Sequence, residues 1–105
     1  VDLTAYRAHG RQPHVFADFR EANLRNVNFS GAGLQKARFE EADLRDANFT
    51  GAELSDTSFW AADLRGVDFT EAKLTFSDMA DAQLDGAIFC RTIDVPDEIT
   101  YEENC

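Results

Sequence analysis

A large apolar residue recurs at every fifth position from Phe19 to Phe89, fifteen times without a miss. The residue two places before each is smaller, most often alanine, as Ala42 and Ala47 show. An α-helix advances about 100° per residue, so a step of five would spread the large residues around its whole surface. A strand alternates its faces, so the same step would send them to opposite sides. The period excludes both and indicates a chain that turns one corner per unit, which is a solenoid.

Two longer periods indicate how many sides the solenoid has. Phenylalanine and leucine alternate strictly until Met79, and the dipeptide Leu-Arg recurs only at residues 24–25, 44–45 and 64–65. Four units per coil satisfy both periods, and residues twenty apart then stack at about 4.8 Å, the spacing of paired strands. The predicted interior ladders are Phe19, Phe39, Phe59 and Met79; Leu24, Leu44, Leu64 and Leu84; Phe29, Phe49, Phe69 and Phe89; and Leu34, Leu54 and Leu74.

The last position of each unit is expected to form a corner of the coil. Several of these positions carry glycine, asparagine or aspartate, which tolerate the positive φ that a sharp corner requires. They are Gly31, Gly51, Gly66 and Gly86, with Asn26, Asp46 and Asp56. These residues are therefore interpreted as structural, not as a phosphate-binding loop.

Four of the units resemble a known repeat. The sequences ANLRN, ANFTG, ADLRD and ADLRG are similar to the A(D/N)LXX unit of the pentapeptide-repeat proteins. The resemblance implies an all-β fold, a right-handed quadrilateral parallel β-helix, with no enzymatic activity and no cofactor. We expect about four coils over residues 17–91, a non-repeat N-terminal cap over residues 1–16 and a C-terminal cap over residues 92–105.

The two caps are needed because an open solenoid exposes its apolar interior and its unpaired strand edges. In the C-terminal segment, Asp94 as N-cap and Pro96 near the first turn predict a short helix. Val95 and Ile99 would then share one face and close that end of the core.

Cys90 and Cys105 lie at the two ends of the C-terminal cap. A disulfide between them would hold the cap in place, and such bonds persist in oxidising compartments. The segment around them is also similar to C-terminal segments of pentapeptide-repeat proteins from cyanobacteria and chloroplasts, including lumenal ones. These points favour the thylakoid lumen or the periplasm, and two reduced thiols in a cytoplasmic protein are the alternative.

The outward positions are where a partner would bind. Arg25, Arg45 and Arg65 form a column beside a column of aspartates, which is either a basic stripe for an anion or a self-compensating surface ladder. Trp60 and Phe76 break the polar rule of the outward positions, so they are candidate contact residues for a protein partner. The alternative is that each ring lies flat over a neighbouring coil.

Charge and composition exclude other classes of function. The sequence has 20 acidic and 10 basic residues, a formal net charge of −10, with no segregated basic patch. We therefore expect no direct nucleic-acid binding, and no apolar run approaches the ~20 residues of a membrane span. His9 and His14 lack a cysteine or acidic partner at ligand spacing, so we expect neither a metal site nor a catalytic group.

The function predicted from the sequence is a non-catalytic structural or protein-interaction module that binds an unknown protein, as a monomer rather than a dimer. The alternative comes from the resemblance, since some pentapeptide-repeat proteins mimic DNA and protect gyrase, a type II topoisomerase, from quinolones. The acidic charge suits that alternative, but about four coils span only about 18 Å at the strand spacing. A structural spacer within a longer polypeptide is a third interpretation.

Overall fold

The computed structural model describes Thr4, residues 16–101, Glu103 and Cys105. Parallel bridges of one residue each, rather than longer strands, make up its regular structure from Asp18 to Ile93, and every bridge joins residues twenty apart. The repeating coil is therefore twenty residues long, with four five-residue sides. The N-terminal cap predicted over residues 1–16 lies outside the described residues except for Thr4 and Phe16.

The bridged residues form four columns that point outward, and each column marks the middle of one wall. Wall 1 carries Asp18, Arg38, Ser58 and Asp78, and wall 2 carries Asn23, Asp43, Asp63 and Gln83. Wall 3 carries Asn28, Asn48, Asp68 and Ile88, and wall 4 carries Gly33, Glu53, Lys73 and Ile93.

Each corner of the coil is a tight turn that contains one residue with positive φ. These residues recur at every fifth position from Glu21 to Arg91, with φ between 50° and 76°. The turn is closed by an N–H three residues beyond a large residue, as where Ala62 donates to the carbonyl of Phe59 at 3.0 Å. One positive φ at the third residue of such a turn is the pattern of a type II turn. The corners predicted at glycine, asparagine and aspartate have this geometry, and so do corners that carry glutamate, lysine, phenylalanine or arginine.

Backbone hydrogen bonds join each coil to both neighbours. On wall 2, the N–H of Asp63 donates to Ala42 of the preceding coil at 2.9 Å, while the N–H groups of Leu64 and Gly66 donate to the following coil at 2.8 and 3.0 Å. The same pattern repeats on the other walls. An inner coil therefore satisfies its backbone hydrogen bonds in both directions.

The core consists of stacked side chains that point toward the solenoid axis. The rings of Phe39 and Phe59 are parallel within 5° at a centroid distance of 5.0 Å, and Phe49 meets Phe59 edge to face at 5.9 Å. On wall 3, Phe69 stacks between Phe49 and Phe89 at 5.6 and 5.4 Å. Each such aromatic pair contributes about 0.5–1.5 kcal/mol beyond area burial.

Burial along the four ladders depends on distance from the ends of the solenoid. The ladder residues at most 1% exposed are Phe29, Phe39, Phe49, Phe59, Phe69, Leu34, Leu44, Leu54, Leu64, Leu74 and Met79. Phe89 is 3% exposed, whereas Phe19, Leu24 and Leu84 at the ends are only partly buried. Inner residues such as Leu44, Leu54 and Phe69 therefore support the fold and line no surface that a partner could reach.

The C-terminal tail leaves the repeat at Asp94, and the short helix predicted there is not formed in the described residues. An N-cap residue needs extended backbone and a free side-chain oxygen. Asp94 instead has a φ of 56°, and its carboxylate accepts a hydrogen bond from Thr75 at 2.7 Å. A single turn follows, in which Ile99 donates to the carbonyl of Pro96 at 3.0 Å. Val95 and Ile99 pack against the end of the core.

Candidate interaction surfaces

Trp60 and Phe76 lie on opposite edges of wall 1, on adjacent coils. Trp60 stands at the corner that leads to wall 2 and is 42% exposed, while Phe76 stands at the corner that leads in from wall 4 and is 84% exposed. A ring that lay flat over a neighbouring coil would be covered on one face, which Phe76 is not. The register therefore places two exposed aromatic side chains on one face of the solenoid.

The backbone conformation at Phe76 shows that the stability of the fold does not account for a phenylalanine at this position. Its φ is 58°, and a left-handed conformation costs an L-residue roughly 1–2 kcal/mol, which glycine avoids and asparagine reduces. The same column holds Lys36 and Asp56, which are polar. Neither burial nor backbone conformation accounts for phenylalanine at this corner.

An open groove lies between Phe76 and the tail. It has a volume of about 460 Å³ and is lined by residues 74–77 and by the tail segment from Asp94 to Glu98. Phe76, Val95 and Pro96 give it apolar surface, and three carboxylates of the tail line its other side. The groove therefore combines apolar surface with negatively charged side chains.

Wall 2 carries the column of arginines, and the structure pairs each with an aspartate. The guanidinium of Arg45 lies 2.7 Å from the carboxylate of Asp43 on its own coil and 3.6 Å from Asp63 on the next. Arg25 lies 3.7 Å from Asp43, and Arg65 lies 2.6 Å from Asp63. Hydrogen bonds from Arg45 and Arg65 hold the pKa of the Asp43 and Asp63 carboxyls below their usual range. This arrangement is the self-compensating ladder and not a free basic stripe.

A further ion pair lies on wall 1, at the N-terminal end. The guanidinium of Arg20 donates to both carboxylate oxygens of Asp18 at 2.8 and 2.6 Å. These hydrogen bonds lower the pKa of the Asp18 carboxyl to about 2. Both side chains are about half exposed, so the pair is a surface feature that contributes little to stability.

A disulfide joins Cys90 to Cys105, with 4.9 Å between their Cα atoms. Cys90 is buried at the corner between walls 3 and 4, so the bond ties the end of the chain to that corner. Beside it, the N–H of Arg91 donates to the carboxylate of Glu103 at 2.8 Å. The tail consequently crosses the end of the core from Pro96 to wall 3, where Tyr101 packs against a core phenylalanine at 5.1 Å.

Two exposed apolar residues were not predicted from the sequence. Ile93 occupies an outward position of wall 4 and is 48% exposed, and Tyr101 in the tail is 45% exposed. Ile93 could have been found because the outward residues below it, Glu53 and Lys73, are charged. Tyr101 lies beyond the repeat, so no periodic signal points to it.

Charge is unevenly distributed along the chain. Residues 1–45 contain seven basic and six acidic residues, whereas residues 46–105 contain three basic and fourteen acidic residues. Because the coils stack in chain order, the net negative charge lies toward the C-terminal end of the solenoid. Within the described residues, no group of three or more His, Cys, Asp or Glu side chains is arranged to hold a metal ion.

No described helix has the length and apolar character of a membrane span. His9 and His14, which were expected not to bind a metal, lie outside the described residues.

The coil of twenty residues, the corner in every unit and the stacked interior define a four-sided parallel β-solenoid. The chain belongs to the pentapeptide-repeat family, since the model of the pentapeptide repeat region matches residues 22–92. Pentapeptide-repeat proteins fold as right-handed quadrilateral β-helices, which agrees with the bridges and corners described above.

Two solved pentapeptide-repeat proteins show the extent of the likeness. The Nostoc protein alr5209 is 37% identical, with a TM-score of 0.61, over 67% of this chain and 62% of its own. A pentapeptide-repeat protein of the Arabidopsis thaliana thylakoid lumen is 27% identical, with a TM-score of 0.50, over 78% of this chain and 67% of its own. The chain thus spans less than two thirds of the Nostoc protein. Among curated protein sequences, none matches it significantly.

Proposed function

We propose that this protein is a rigid, non-catalytic interaction module of about four coils, and that wall 1 is its contact face for a protein partner. The observation that carries the proposal is Phe76, a phenylalanine that is 84% exposed in a left-handed corner. A side chain that costs backbone energy and gains no burial within its own chain is accounted for by burial against another molecule.

The rest of wall 1 is consistent with a contact face. Trp60 lies on the opposite edge, and tryptophan and other large aromatic residues supply much of the energy of protein interfaces. Between the two rings the wall presents short polar groups, among them Ser58 and Asp78. Backbone hydrogen bonds from Phe59 to Asp78 and from Ala61 to Ala80 join the two coils, so the two rings are held at a constant separation before binding.

A monomer in an oxidising compartment is the state we propose for this module. The disulfide between Cys90 and Cys105 supports this location, because such bonds are rare in a reducing cytosol. The thylakoid-lumen relative from Arabidopsis supports the lumen specifically, at 27% identity. A cytoplasmic protein with reduced thiols is the alternative.

The second candidate function is that of a DNA mimic that binds gyrase. Its support is the net charge of −10 and the acidic C-terminal half. Against it, the guanidinium groups of Arg25, Arg45 and Arg65 interrupt the negative potential of wall 2. A DNA mimic needs a continuous run of negative charge, and this wall does not supply one.

Affinity capture from an extract of the source organism tests the proposal. The bait proteins are the wild type, Phe76→Asn, Trp60→Ala and the control Asp46→Asn, which alters an exposed corner between walls 2 and 3 with the same positive φ. We expect a protein that wild type and Asp46→Asn retain and that Phe76→Asn loses. A retained protein that is insensitive to both aromatic substitutions, or no retained protein, contradicts the assignment of wall 1, and recovery of gyrase subunits promotes the alternative.

A further inference from the structure

The C-terminal edge of wall 2 ends with the backbone N–H groups of Leu84 and Gly86. In the coil below, the N–H groups of Leu64 and Gly66 donate to the coil that follows them. The equivalent groups of Leu84 and Gly86 have no hydrogen-bond partner among the described residues. Leu84 is half-buried and Gly86 is exposed, so both donors lie at an open sheet edge. Such an edge is a template for another extended segment.

Within the part of the chain that the structure describes, the tail does not cover this edge, and the disulfide directs its path. To reach Cys90, the tail crosses the end of the core toward wall 3 and does not continue around wall 1 and wall 2. It leaves a pocket of about 280 Å³ on its flank, lined by Leu84, Phe89, Ile99 and Tyr101. In the repeat, the space over each leucine of wall 2 is filled by the next leucine. The pocket over Leu84 is therefore the place of a missing apolar side chain.

The column of arginines on wall 2 changes its sign of charge at this edge. The column of Arg25, Arg45 and Arg65 ends in Asp85, whose carboxylate has no ion-pair partner among the described residues. Asp81 stands exposed at the preceding corner, and no residue that lines the pocket is basic. An incoming segment that continues the ladder must carry a positive charge over Asp85. A second copy of this acidic end would instead be repelled.

We propose that this edge binds an extended cationic peptide segment of a partner protein, of the form small–Arg–large–Arg, as one more side of the coil. The carbonyls of the two arginines accept hydrogen bonds from Leu84 and Gly86, in the way that Gln83 and Asp85 accept from Leu64 and Gly66. The large side chain enters the pocket over Leu84, and the second guanidinium pairs with Asp85. This is strand addition, in which main-chain bonds supply affinity and side-chain pockets supply specificity. It is a second surface, separate from Phe76.

The probe that tests this site is the peptide acetyl-Gly-Ala-Arg-Leu-Arg-Gly-Ala-amide, titrated into the full-length oxidised protein. Binding is measured by calorimetry, and the amide hydrogen exchange of each residue is measured by NMR with and without peptide. We expect exchange at Leu84 and Gly86 to slow about tenfold or more at saturation, because both amides become hydrogen-bonded. Replacing the central leucine of the peptide with glycine is expected to abolish binding.

Reversing the charge of Asp85 distinguishes a specific ion pair with the peptide from attraction by the net negative charge of the protein. We expect the Asp85→Arg variant to bind the cationic peptide about tenfold or more weakly than wild type does. The same variant should bind a counterpart peptide that has aspartate in place of both arginines. The control Asp56→Arg makes the same change of net charge at a distant exposed corner and leaves both affinities near wild type. Equal weakening by both variants overturns the proposal, as does protection at residues other than those of wall 2.

Three further outcomes are decisive. If Leu84 and Gly86 become protected without peptide as protein concentration rises, the edge pairs with a second copy and the peptide site is wrong. If no peptide binds while extract capture still depends on Phe76, this inference fails and the proposed function stands. If extract capture does not depend on Phe76 and peptide binding does not depend on Asp85, both the proposed function and this inference fail.

Discussion

The hydroxyl of Thr75 donates a hydrogen bond to the carboxylate of Asp94, 2.7 Å away, and so ties the beginning of the tail to the last complete corner of wall 4. This contact occupies the carboxylate that was expected to cap a helix. It also places Val95 and Pro96 beside Phe76, where they form one side of the groove. This contact fixes the beginning of the tail and shapes the candidate surface, while the disulfide fixes its end.

Removing this contact is expected to loosen the tail. Thr75→Val keeps the shape of the side chain and loses the donor, so we expect a loss of about 0.5–1.5 kcal/mol in the free energy of unfolding. Chemical denaturation measures it. Ser55→Ala is the matched control, since Ser55 precedes Thr75 by one coil and its hydroxyl makes no such bond. Equal losses in both variants would mean that the bond to Asp94 contributes nothing.

The narrow core is expected to reject larger side chains at its small positions. Ala47 is 1% exposed between the aromatic and leucine ladders, so Ala47→Leu should overpack the core and cost about 1–3 kcal/mol. Ala80→Leu is the control, because Ala80 is exposed at an outward position. Urea denaturation with both variants measures the difference. A cost for Ala80→Leu as large as that for Ala47→Leu would contradict tight packing as the cause.

Phe76→Asn is expected to stabilise the isolated protein while it removes the contact residue. Asparagine tolerates a φ of 58° better than phenylalanine does, so we expect a gain of up to about 1 kcal/mol in the free energy of unfolding. Thermal denaturation measures it, with Glu41→Asn as a control for the corner alone. A destabilised Phe76→Asn would show that the ring supports its own fold, and wall 1 would lose its main evidence.

Reducing the disulfide is expected to lower stability without unfolding the solenoid. The bond closes a loop of 15 residues, which corresponds to about 3 kcal/mol in the chain-entropy model. Denaturation with and without reductant measures the loss. The variant with both Cys90→Ser and Cys105→Ser should match the reduced wild type and ignore reductant. Two free thiols in native, unreduced protein would contradict the bond and most of the support for an oxidising compartment.

The ion pair at Asp18 is expected to make the stability of the fold depend on pH only in acid. Its carboxyl has a pKa of about 2, below the ordinary value of 3.8 in the unfolded chain, because Arg20 donates hydrogen bonds to the charged form. The unfolded state therefore binds a proton first as pH falls. The contribution of the pair is complete above pH 3.8 and is lost as pH falls toward 2.

NMR titration of the Asp18 carboxyl checks this prediction. In Arg20→Met the pKa should return toward its ordinary value, and the acid dependence of stability between the two pKa values should become shallower. The matched variant Arg65→Met, which changes an arginine of wall 2, should leave the Asp18 titration close to that of wild type. An Asp18 pKa near its ordinary value in the wild type would contradict the hydrogen-bonded pair.

Much of the fold was predictable because its information is local and repeated. Each five-residue unit has a large residue, a small residue and a corner at fixed positions. The same physical constraint therefore recurs in every unit. The inward positions of Leu44, Leu54 and Phe69, all of them fully buried, follow from this period alone. The corner residues were predictable only in part. Glycine and asparagine mark a positive φ. Lys36 and Phe76 adopt it against their own propensities, because hydrogen bonds between neighbouring coils hold the backbone there.

The candidate surfaces were less predictable. Trp60 and Phe76 were singled out because they break the polar pattern, but only the coil register places both on wall 1. The competing interpretations of the arginine column could not be separated from the sequence, since the distance between Arg45 and Asp63 depends on side-chain conformation. The helix predicted after Asp94 was wrong because local capping preferences gave way to a contact with Thr75.

The sequence by itself determined the solenoid, its core ladders and its family, because a five-residue period has few physical solutions and this chain repeats it fifteen times. Only the tertiary structure decided the path of the tail, the pairing on wall 2 and the open edge at Leu84 and Gly86. These features depend on contacts between residues far apart in the chain, at the end where the repeat stops. Periodicity carries no information there, and individual hydrogen bonds and one disulfide determine the structure.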